Sequence, residues 1–470
     1  MLLNGAWVDR LQRLEVRDPQ DTHLIDTIPQ ASAADMLKTI DAAVMGATIA
    51  RDMPIYQRIS ILEHTAGIVT RRHEEFARTI SREGIKTIRE ARKEVTRCIQ
   101  TLRISAEAAR HVGRETIAFD QMPGSELRQG YYRREPVGII GAITPFNDPL
   151  NLVAHKVGPA LAAGNAIIVK PHTETPLSAL LLAQAVVEAG LPPGILQVIT
   201  GRGREIGEIL VTDPRVRMIS FTGGRQIGET IYRKACLKKV SMELGSNCPV
   251  IVMPDANLEL AVKCSVSGAY WAAGQNCLHV QRLFIQRSIV SECIERFLTL
   301  TKAYRTGDKQ DEETDMGPLI NEAAAMRVEQ TVNEALAAGA KALIGAQRSG
   351  TYYLPTLLED VPDTSPLATE EIYGPVTMLF QFDTLEEAIE RANAVDYGLQ
   401  AGIFTQSIQT AFQAVNKLLC GGVMVNDSSD YRIDAMPFGG IKGSGLGREG
   451  VYFALQEMTE PKVVCFNLAR

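Results

Sequence analysis

Short apolar runs alternate with helical segments between residues 137 and 235, and no other feature restricts the fold of this chain so strongly. The predicted strands are 137–143, 166–169, 195–199 and 217–221, and the predicted helices between them are 176–189, 204–211 and 225–235. A repeated succession of strand, helix and strand predicts a parallel sheet and hence an α/β fold. Right-handed crossovers would place the carboxyl ends of these strands at one edge, where α/β folds bind their ligands.

Two further regions flank this alternation. Residues 54–112 carry apolar side chains every three to four positions, which predicts helices that end near Gly84 and Gly113. A second α/β stretch follows Glu243, with a helix near 256–271 and a strand near 281–286. We therefore predict two domains. A hairpin arm within 115–134, together with the C-terminal segment, would contact another subunit.

Composition excludes several classes of partner. A formal charge of −6 over 470 residues offers no basic field to nucleic acid or anionic lipid, so neither partner is predicted. The N-terminus lacks the apolar run of a signal peptide, and no uncharged stretch reaches the ~18 apolar residues needed to span a bilayer. Eight scattered cysteines without a CxxC pair predict reduced thiols, no metal site and a cytoplasmic location.

One cysteine lies in a setting that suits chemistry. Cys277 follows a glycine and two amides in GAYWAAGQNC, at a predicted loop between a helix and a strand. A thiolate there could attack an aldehyde carbon if a neighbour handles protons, whereas a small buried packing residue is the alternative. Glu243, 34 residues earlier in SMELGSN, is the candidate base, with a surface or helix-capping carboxylate as its alternative.

The motifs taken together resemble the aldehyde dehydrogenase superfamily along nearly the whole chain. MELG and GQNC have that family's spacing between base and nucleophile, and YYLPTLL, EEIYGPV and PFGGIKGSGLGRE occur in its order. The resemblance implies a Rossmann-like NAD(P)-binding domain over 1–114 and 135–245 and an α/β catalytic domain over 246–450. It also implies an oligomerisation arm over 115–134 and 451–470, and a homodimer or homotetramer.

The resemblance implies roles for four catalytic residues. Cys277 would attack the aldehyde to form a thiohemiacetal, which loses hydride to the nicotinamide, and Glu243 would then activate water against the thioester. Asn147 in TPFND would join the Cys277 backbone N–H in an oxyanion hole. Glu460 in MTEPK matches a second carboxylate linked to proton relay, with a surface charge as the alternative.

The resemblance also implies a binding site for NAD or NADP, although no GxGxxG fingerprint is present. The residues expected at this site are Ile143, Thr144, Phe146, Lys170, His172, Thr173, Gly203, Gly207, Phe221, Thr222, Gly223, Gly224, Ile227, Leu244, Gly245, Glu371 and Tyr373. Many NAD-preferring members have a glutamate where this chain has Thr173, so we expect a 2′-phosphate to be tolerated. Glu174, one position further on, could still turn inward.

The branch that the sequence most resembles contains lactaldehyde, phosphonoacetaldehyde and non-phosphorylating glyceraldehyde-3-phosphate dehydrogenases. Arg103 and Arg432 match positions of arginines that face an anionic group, and an ion pair with Glu107 is the alternative for Arg103. Asp148 and Asn276 argue against a purely anionic aldehyde, so a small hydroxyaldehyde competes. Two other functions stay open: a CoA-acylating dehydrogenase and a catalytically silent binding protein on the same fold.

Overall fold

The computed structural model describes residues 1–469, and a parallel sheet forms the centre of its first half. This sheet has eight strands, in the spatial order Ala6–Trp7, Leu2–Leu3, Leu196–Val198, Ala166–Lys170, Ile139–Ile143, Met218–Thr222, Lys239–Glu243 and Gly445–Leu446. The five central strands are parallel and follow the order 3-2-1-4-5, which is that of a Rossmann half with one further neighbour. The predicted α/β fold is therefore confirmed.

The apolar runs seen in the sequence are buried on both faces of this sheet. Ile140 and Ala142 pack into one apolar cluster, whereas Ile139 packs into a second cluster on the opposite face. A strand covered on both sides needs apolar residues at every position, which explains its continuous Val and Ile runs. The predicted strands end within two residues of the observed ones.

A second, seven-stranded sheet forms the centre of the other half. Its order is Lys341–Ile344, Thr356–Glu359, Val376–Phe382, Val280–Gln286, Cys248–Val252, Gln400–Phe404 and Gly422–Val425. All neighbours are parallel except the first pair, which is antiparallel. Two-stranded ribbons join Arg13–Arg17 to Leu24–Pro29 and Arg348–Ser349 to Tyr352–Tyr353.

Helices cover both sheets. The α-helices are Ala33–Asp52, Ile55–Arg71, His73–Glu83, Ile88–Ala108, Asn151–Ala163, Leu177–Glu188, Gly203–Thr212, Arg225–Ala235, Leu258–Tyr270, Val290–Ala303, Glu322–Ala337, Pro366–Thr369, Leu385–Asn393, Ile408–Lys417 and Val451–Glu457. Short 3-10 turns are Ala109–His111, Phe119–Gln121, Trp271–Gly274, Arg287–Ile289 and Lys442–Ser444. The helices predicted in 54–112 are present, and the helix His73–Glu83 ends at Gly84 as expected. Within residues 1–469, no helix is both long and apolar enough to cross a membrane.

A three-stranded antiparallel sheet stands apart from these two. It pairs Thr459–Asn467 with Arg128–Pro136 over nine residues, and Arg114–Thr116 adds the third strand. The predicted arm segments thus meet, although Val451–Glu457 packs instead on Asn151–Ala163. The domain boundaries and the role of this arm in assembly stay predictions.

Candidate active site

One cavity of about 1590 Å³ opens at the carboxyl ends of the first sheet's strands and extends to the second sheet. Every residue predicted to bind the cofactor lines it, as do Cys277, Glu243, Asn147, Asp148, Asn276 and Arg432. Glu460 and Arg103 do not. The convergence of these strand ends follows from parallel strands with crossover helices, because all their carboxyl ends then share one edge.

The loop that carries Cys277 has an unusual backbone. Ala272, Ala273 and Gly274 all adopt positive φ angles, of 51°, 53° and 68°. For alanine this conformation costs free energy and persists only where the surroundings hold it. The Asn276 side chain supplies part of that support, since it donates to the Trp271 carbonyl at 3.3 Å and accepts from the Leu278 N–H at 3.0 Å.

Cys277 is half-buried and lines the cavity. Burial raises the pKa of its thiol, while the nearby Arg432 charge acts in the opposite direction. Among residues 1–469, the Cys277 backbone N–H and the Asn147 side-chain amide have no hydrogen-bond partner. A backbone N–H and a side-chain amide without partners thus occur in the cavity that contains the thiol.

Glu243 ends its strand inside the protein, and neither of its carboxylate oxygens has a partner within residues 1–469. Burial and the charge of the neighbouring Glu449 both raise the pKa of Glu243. Glu449 has partners that Glu243 lacks: Lys156 Nζ at 3.2 Å and Arg432 Nη2 at 3.1 Å. Burial alone would raise the pKa of Glu449, but Lys156 and then Arg432 hold it at about 2.

The sequence-based assignment of Glu460 as the second carboxylate is therefore wrong. Glu460 is exposed on the strand Thr459–Asn467, opposite Glu135, because that strand belongs to the separate three-stranded sheet. Glu449, in GLGREG, is the carboxylate beside Glu243. Lys156 was also not identified from the sequence. A lysine within a mostly apolar helix could have indicated it, because all thirteen residues of Asn151–Ala163 are buried.

At the other end of the cavity, Glu371 is held against the strand end that follows Glu243. Its carboxylate accepts from the Ser246 N–H at 2.9 Å, and burial raises its pKa to about 7. A Cβ at position 245 would lie 2.2 Å from a Glu371 oxygen, so only glycine fits there. Tyr373 packs edge-on against Phe146, with the ring centroids 5.7 Å apart.

The first sheet's edge suits a dinucleotide. Burial lowers the pKa of Lys170 to about 8. Among residues 1–469 its ammonium donates only to the Pro171 carbonyl, at 2.9 Å, which leaves donors free for a ribose. Thr173 faces the cavity, whereas Glu174 accepts from Asn321 at 2.8 Å and lies outside it. Glu174 lines an adjoining pocket that shares Thr173 and Arg204 with this cavity, and its carboxylate lies 3.8 Å from His172. Arg204 is mostly exposed.

At the substrate end, the structure replaces one of the two predicted arginines. Arg432 lines the cavity beside Phe438, and its buried Nε has no partner within residues 1–469. Arg103 points to solvent on the helix Ile88–Ala108, so its assignment to the substrate site is wrong. Arg97, on the same helix, reaches the cavity and binds Asp148 at 3.2 Å and Asp434 at 2.8 Å.

A nucleotide-binding sheet edge that opens on a cysteine and two buried carboxylates defines an oxidoreductase that uses NAD or NADP. The model of the aldehyde dehydrogenase family matches residues 7–464, and the chain belongs to that family.

Similar proteins of known name support the predicted branch. The chain is 50% identical to aspartate-semialdehyde dehydrogenase 1 of Pseudomonas canavaninivorans, over 97% of each chain. It is 42% identical to 3-sulfolactaldehyde dehydrogenase of Priestia aryabhattai, over 100% of this chain and 98% of that one. Aldehyde dehydrogenase 21 of Physcomitrella patens, solved with the reaction product succinate, superposes with a TM-score of 0.97 at 38% identity, over 99% and 98% of the two chains. The glyceraldehyde-3-phosphate dehydrogenase GapN of Methanocaldococcus jannaschii, solved with NADP, gives 0.94 at 38% identity, over 98% and 100%.

Proposed function

We propose that this aldehyde dehydrogenase oxidises a small aldehyde bearing a carboxylate, sulfonate or similar anionic group to the corresponding acid. The observation that carries the proposal is Arg432, which lines the cavity, pairs with Glu449 through Nη2 alone and keeps a buried Nε without a partner within residues 1–469, and whose charge acts on Cys277. Arginine matches planar anions with paired N–H donors. The named relatives handle aldehydes or products of this kind: aspartate semialdehyde, 3-sulfolactaldehyde and succinate.

The first chemical step takes place at Cys277. The thiolate forms a bond to the aldehyde carbon, and the aldehyde oxygen becomes an oxyanion. The Asn147 amide and the Cys277 N–H are the donors left to stabilise that charge, since neither has another partner within residues 1–469. Lys170, Glu371 and the strand ends that line the cavity would hold NAD or NADP, and the cofactor would supply the hydride acceptor needed to turn the thiohemiacetal into a thioester.

The second step is hydrolysis, and Glu243 is the group that accepts the water proton. Its unpaired oxygens leave it free to bind water, and its raised pKa makes it a stronger base than an exposed glutamate once ionised. Glu449, Lys156 and Arg432 act on Glu243 through their charges. The acid product leaves, and Cys277 regains its proton.

The cofactor end favours use of both NAD and NADP. An inward carboxylate would repel a 2′-phosphate, but Glu174 is engaged by Asn321 and position 173 is a threonine. Arg204 adds a positive charge at the same end. We expect catalytic efficiencies with the two cofactors to differ by far less than the thousands-fold of a strictly NAD-specific enzyme.

The test is a panel of lactaldehyde, propionaldehyde, succinate semialdehyde and 3-sulfolactaldehyde, assayed with NAD and with NADP by absorbance of the reduced cofactor. We expect the anionic members to have the higher kcat/KM, and Cys277→Ser to abolish turnover. Arg432→Gln should raise KM for the anionic members more than for propionaldehyde, whereas Arg103→Gln, at an exposed position outside the cavity, serves as the control. Full activity of Cys277→Ser contradicts the mechanism, and a preference for propionaldehyde contradicts the anionic substrate.

A further inference from the structure

At the substrate end of the cavity, nearly all charged side chains form ion pairs with one another. Arg432 pairs with Glu449 at 3.1 Å, Arg97 pairs with Asp148 and Asp434, and Lys86 pairs with Glu94 at 2.8 Å and also with Asp148. These contacts build the wall of the cavity rather than leaving its charges free. They also show that Asp148, which alone would repel an anion, is flanked by two cations.

Besides the general base Glu243, two charged groups of this wall have no opposite charge within 4.0 Å among residues 1–469, namely Lys93 and Asp430. Lys93, in the second turn of the helix Ile88–Ala108, is exposed, and its ammonium lies 4.7 Å from the centroid of the Trp271 ring. The ring face favours a cation there. The wall thus presents one unpaired positive charge and one unpaired negative charge, which do not pair with each other.

Asp430 is firmly positioned. One oxygen, Oδ1, accepts from the Ser428 hydroxyl, and the same oxygen would be 2.8 Å from a Cβ built on Gly268 of the helix Leu258–Tyr270. The other oxygen, Oδ2, accepts from no other residue within residues 1–469 and is not sealed from solvent. Burial raises the pKa of this carboxyl, which means that its charge lacks compensation and that a nearby cation would be stabilising.

We propose that the substrate is an aldehyde carrying both a carboxylate and an ammonium group, an amino-acid semialdehyde, with Asp430 accepting from the ammonium and Lys93 facing the carboxylate. The proposal rests on the proposed function, because it names the substrate class of the same site. A purely anionic aldehyde would leave Asp430 uncompensated and would bring a second negative charge near it. A zwitterion satisfies both unpaired groups, and specificity follows from the penalty on substrates that satisfy only one.

The experiment compares two aldehydes that differ only in the ammonium group, L-aspartate 4-semialdehyde and succinate semialdehyde. For the unmodified enzyme we expect the amino compound to have a kcat/KM at least about ten-fold higher, as a charge-assisted hydrogen bond allows. Asp430→Asn, which keeps the shape, should lower that value about ten-fold for aspartate semialdehyde and leave succinate semialdehyde nearly unchanged. Lys93→Met should weaken both substrates, since both carry the carboxylate.

The control is Asp26→Asn, an exposed carboxylate on the strand Leu24–Pro29 outside the cavity, which should alter neither substrate. Equal losses on both substrates in Asp430→Asn would show a structural role and overturn the proposal, as would a preference of the unmodified enzyme for succinate semialdehyde. Product inhibition gives a second measurement: L-aspartate should inhibit more strongly than succinate, and Asp430→Asn should remove that difference. Absence of turnover on every aldehyde would instead contradict the proposed function itself.

Discussion

Glu243 and Glu449 lie in the same buried region, but their neighbours drive their pKa values in opposite directions. Glu449 contacts Lys156 and Arg432 and stays ionised, while Glu243 has no contacting cation and meets the Glu449 charge instead. Two carboxylates with separated pKa values can hold different protonation states at one pH. In the proposed mechanism Glu243 is the proton acceptor, and the charge of Glu449 raises the pH at which Glu243 begins to act.

Replacing Glu449 with Gln removes one of the two causes of the raised Glu243 pKa. Because Glu243 must be ionised to accept a proton, activity limited by hydrolysis is lost as pH falls through that pKa. We expect the acidic limb of the kcat profile to move to lower pH by about one unit in Glu449→Gln. Steady-state rates from pH 5 to 9 measure this, with thermal unfolding as a check on folding.

Glu460→Gln is the matched control for that change, since it alters an exposed carboxylate eleven residues along the chain. Its profile should coincide with that of the unmodified enzyme. If Glu460→Gln moved the acidic limb and Glu449→Gln did not, the placement of the second carboxylate would be refuted.

Single residues show where sequence reasoning reached its limit. Cys277, Glu243 and Asn147 were predictable because their motifs carry chemistry and spacing together. Arg103 was assigned in place of Arg97, and six residues along a helix turn a side chain by about 240°, from the cavity to solvent. Asp430 and Lys93 had no sequence signal, because their significance lies in the absence of a partner, which only coordinates reveal.

At the scale of elements, the turn Trp271–Gly274 and the loop after it decide where Cys277 points. Three successive residues in the left-handed region would relax if nothing held them, and Asn276 bridges this turn to Leu278. The sequence predicted a loop here but not its conformation, since alanine seldom adopts positive φ. The sequence also suggested Asn276 as a substrate contact. In the structure, its side-chain nitrogen donates to the Trp271 carbonyl and its side-chain oxygen accepts from the Leu278 N–H.

Asn276→Ala should therefore act on rate rather than on substrate affinity. Losing both hydrogen bonds releases the turn, and a displaced nucleophile lowers the rate of attack, so we expect kcat to fall about ten-fold or more. KM for the aldehyde and the thermal midpoint should change little. Asn257→Ala, which removes a helix cap outside the cavity, is a control expected to change stability rather than kcat. A rise in KM at constant kcat would instead support direct contact of Asn276 with the substrate.

At the scale of the whole molecule, the three-stranded sheet leaves apolar side chains in solvent. Val463 is 61% exposed and Phe466 is 53% exposed on the strand Thr459–Asn467. Apolar groups at such positions are typical of surfaces that another subunit covers, which supports the predicted arm. The sequence predicted that the segment 115–134 and the C-terminal segment belong together, because both interrupt the α/β alternation, but it did not predict the strand order of this sheet.

We expect Phe466→Asp to shift the protein toward smaller assemblies, because a carboxylate at a subunit contact loses its hydration without gaining a partner. Sedimentation velocity at several concentrations measures the change. Leu11→Asp, at a fully exposed apolar position of the N-terminal segment, is the control and should leave the assembly unchanged. An unchanged mass for Phe466→Asp would exclude this position from the interface.

The strand Gly445–Leu446 pairs with Met242 and Glu243 at the edge of the first sheet, although the second sheet lies between them in the chain. The nucleotide-binding half therefore cannot complete its own edge until some 200 further residues have been made. During synthesis the strand Lys239–Glu243 would leave the ribosome with its outer edge unpaired, because its partner strand is made later. Strand pairing between segments so far apart in the chain forms slowly. Because Glu449 follows that strand, the two carboxylates of the site can meet only after some 200 residues beyond Glu243 have been made.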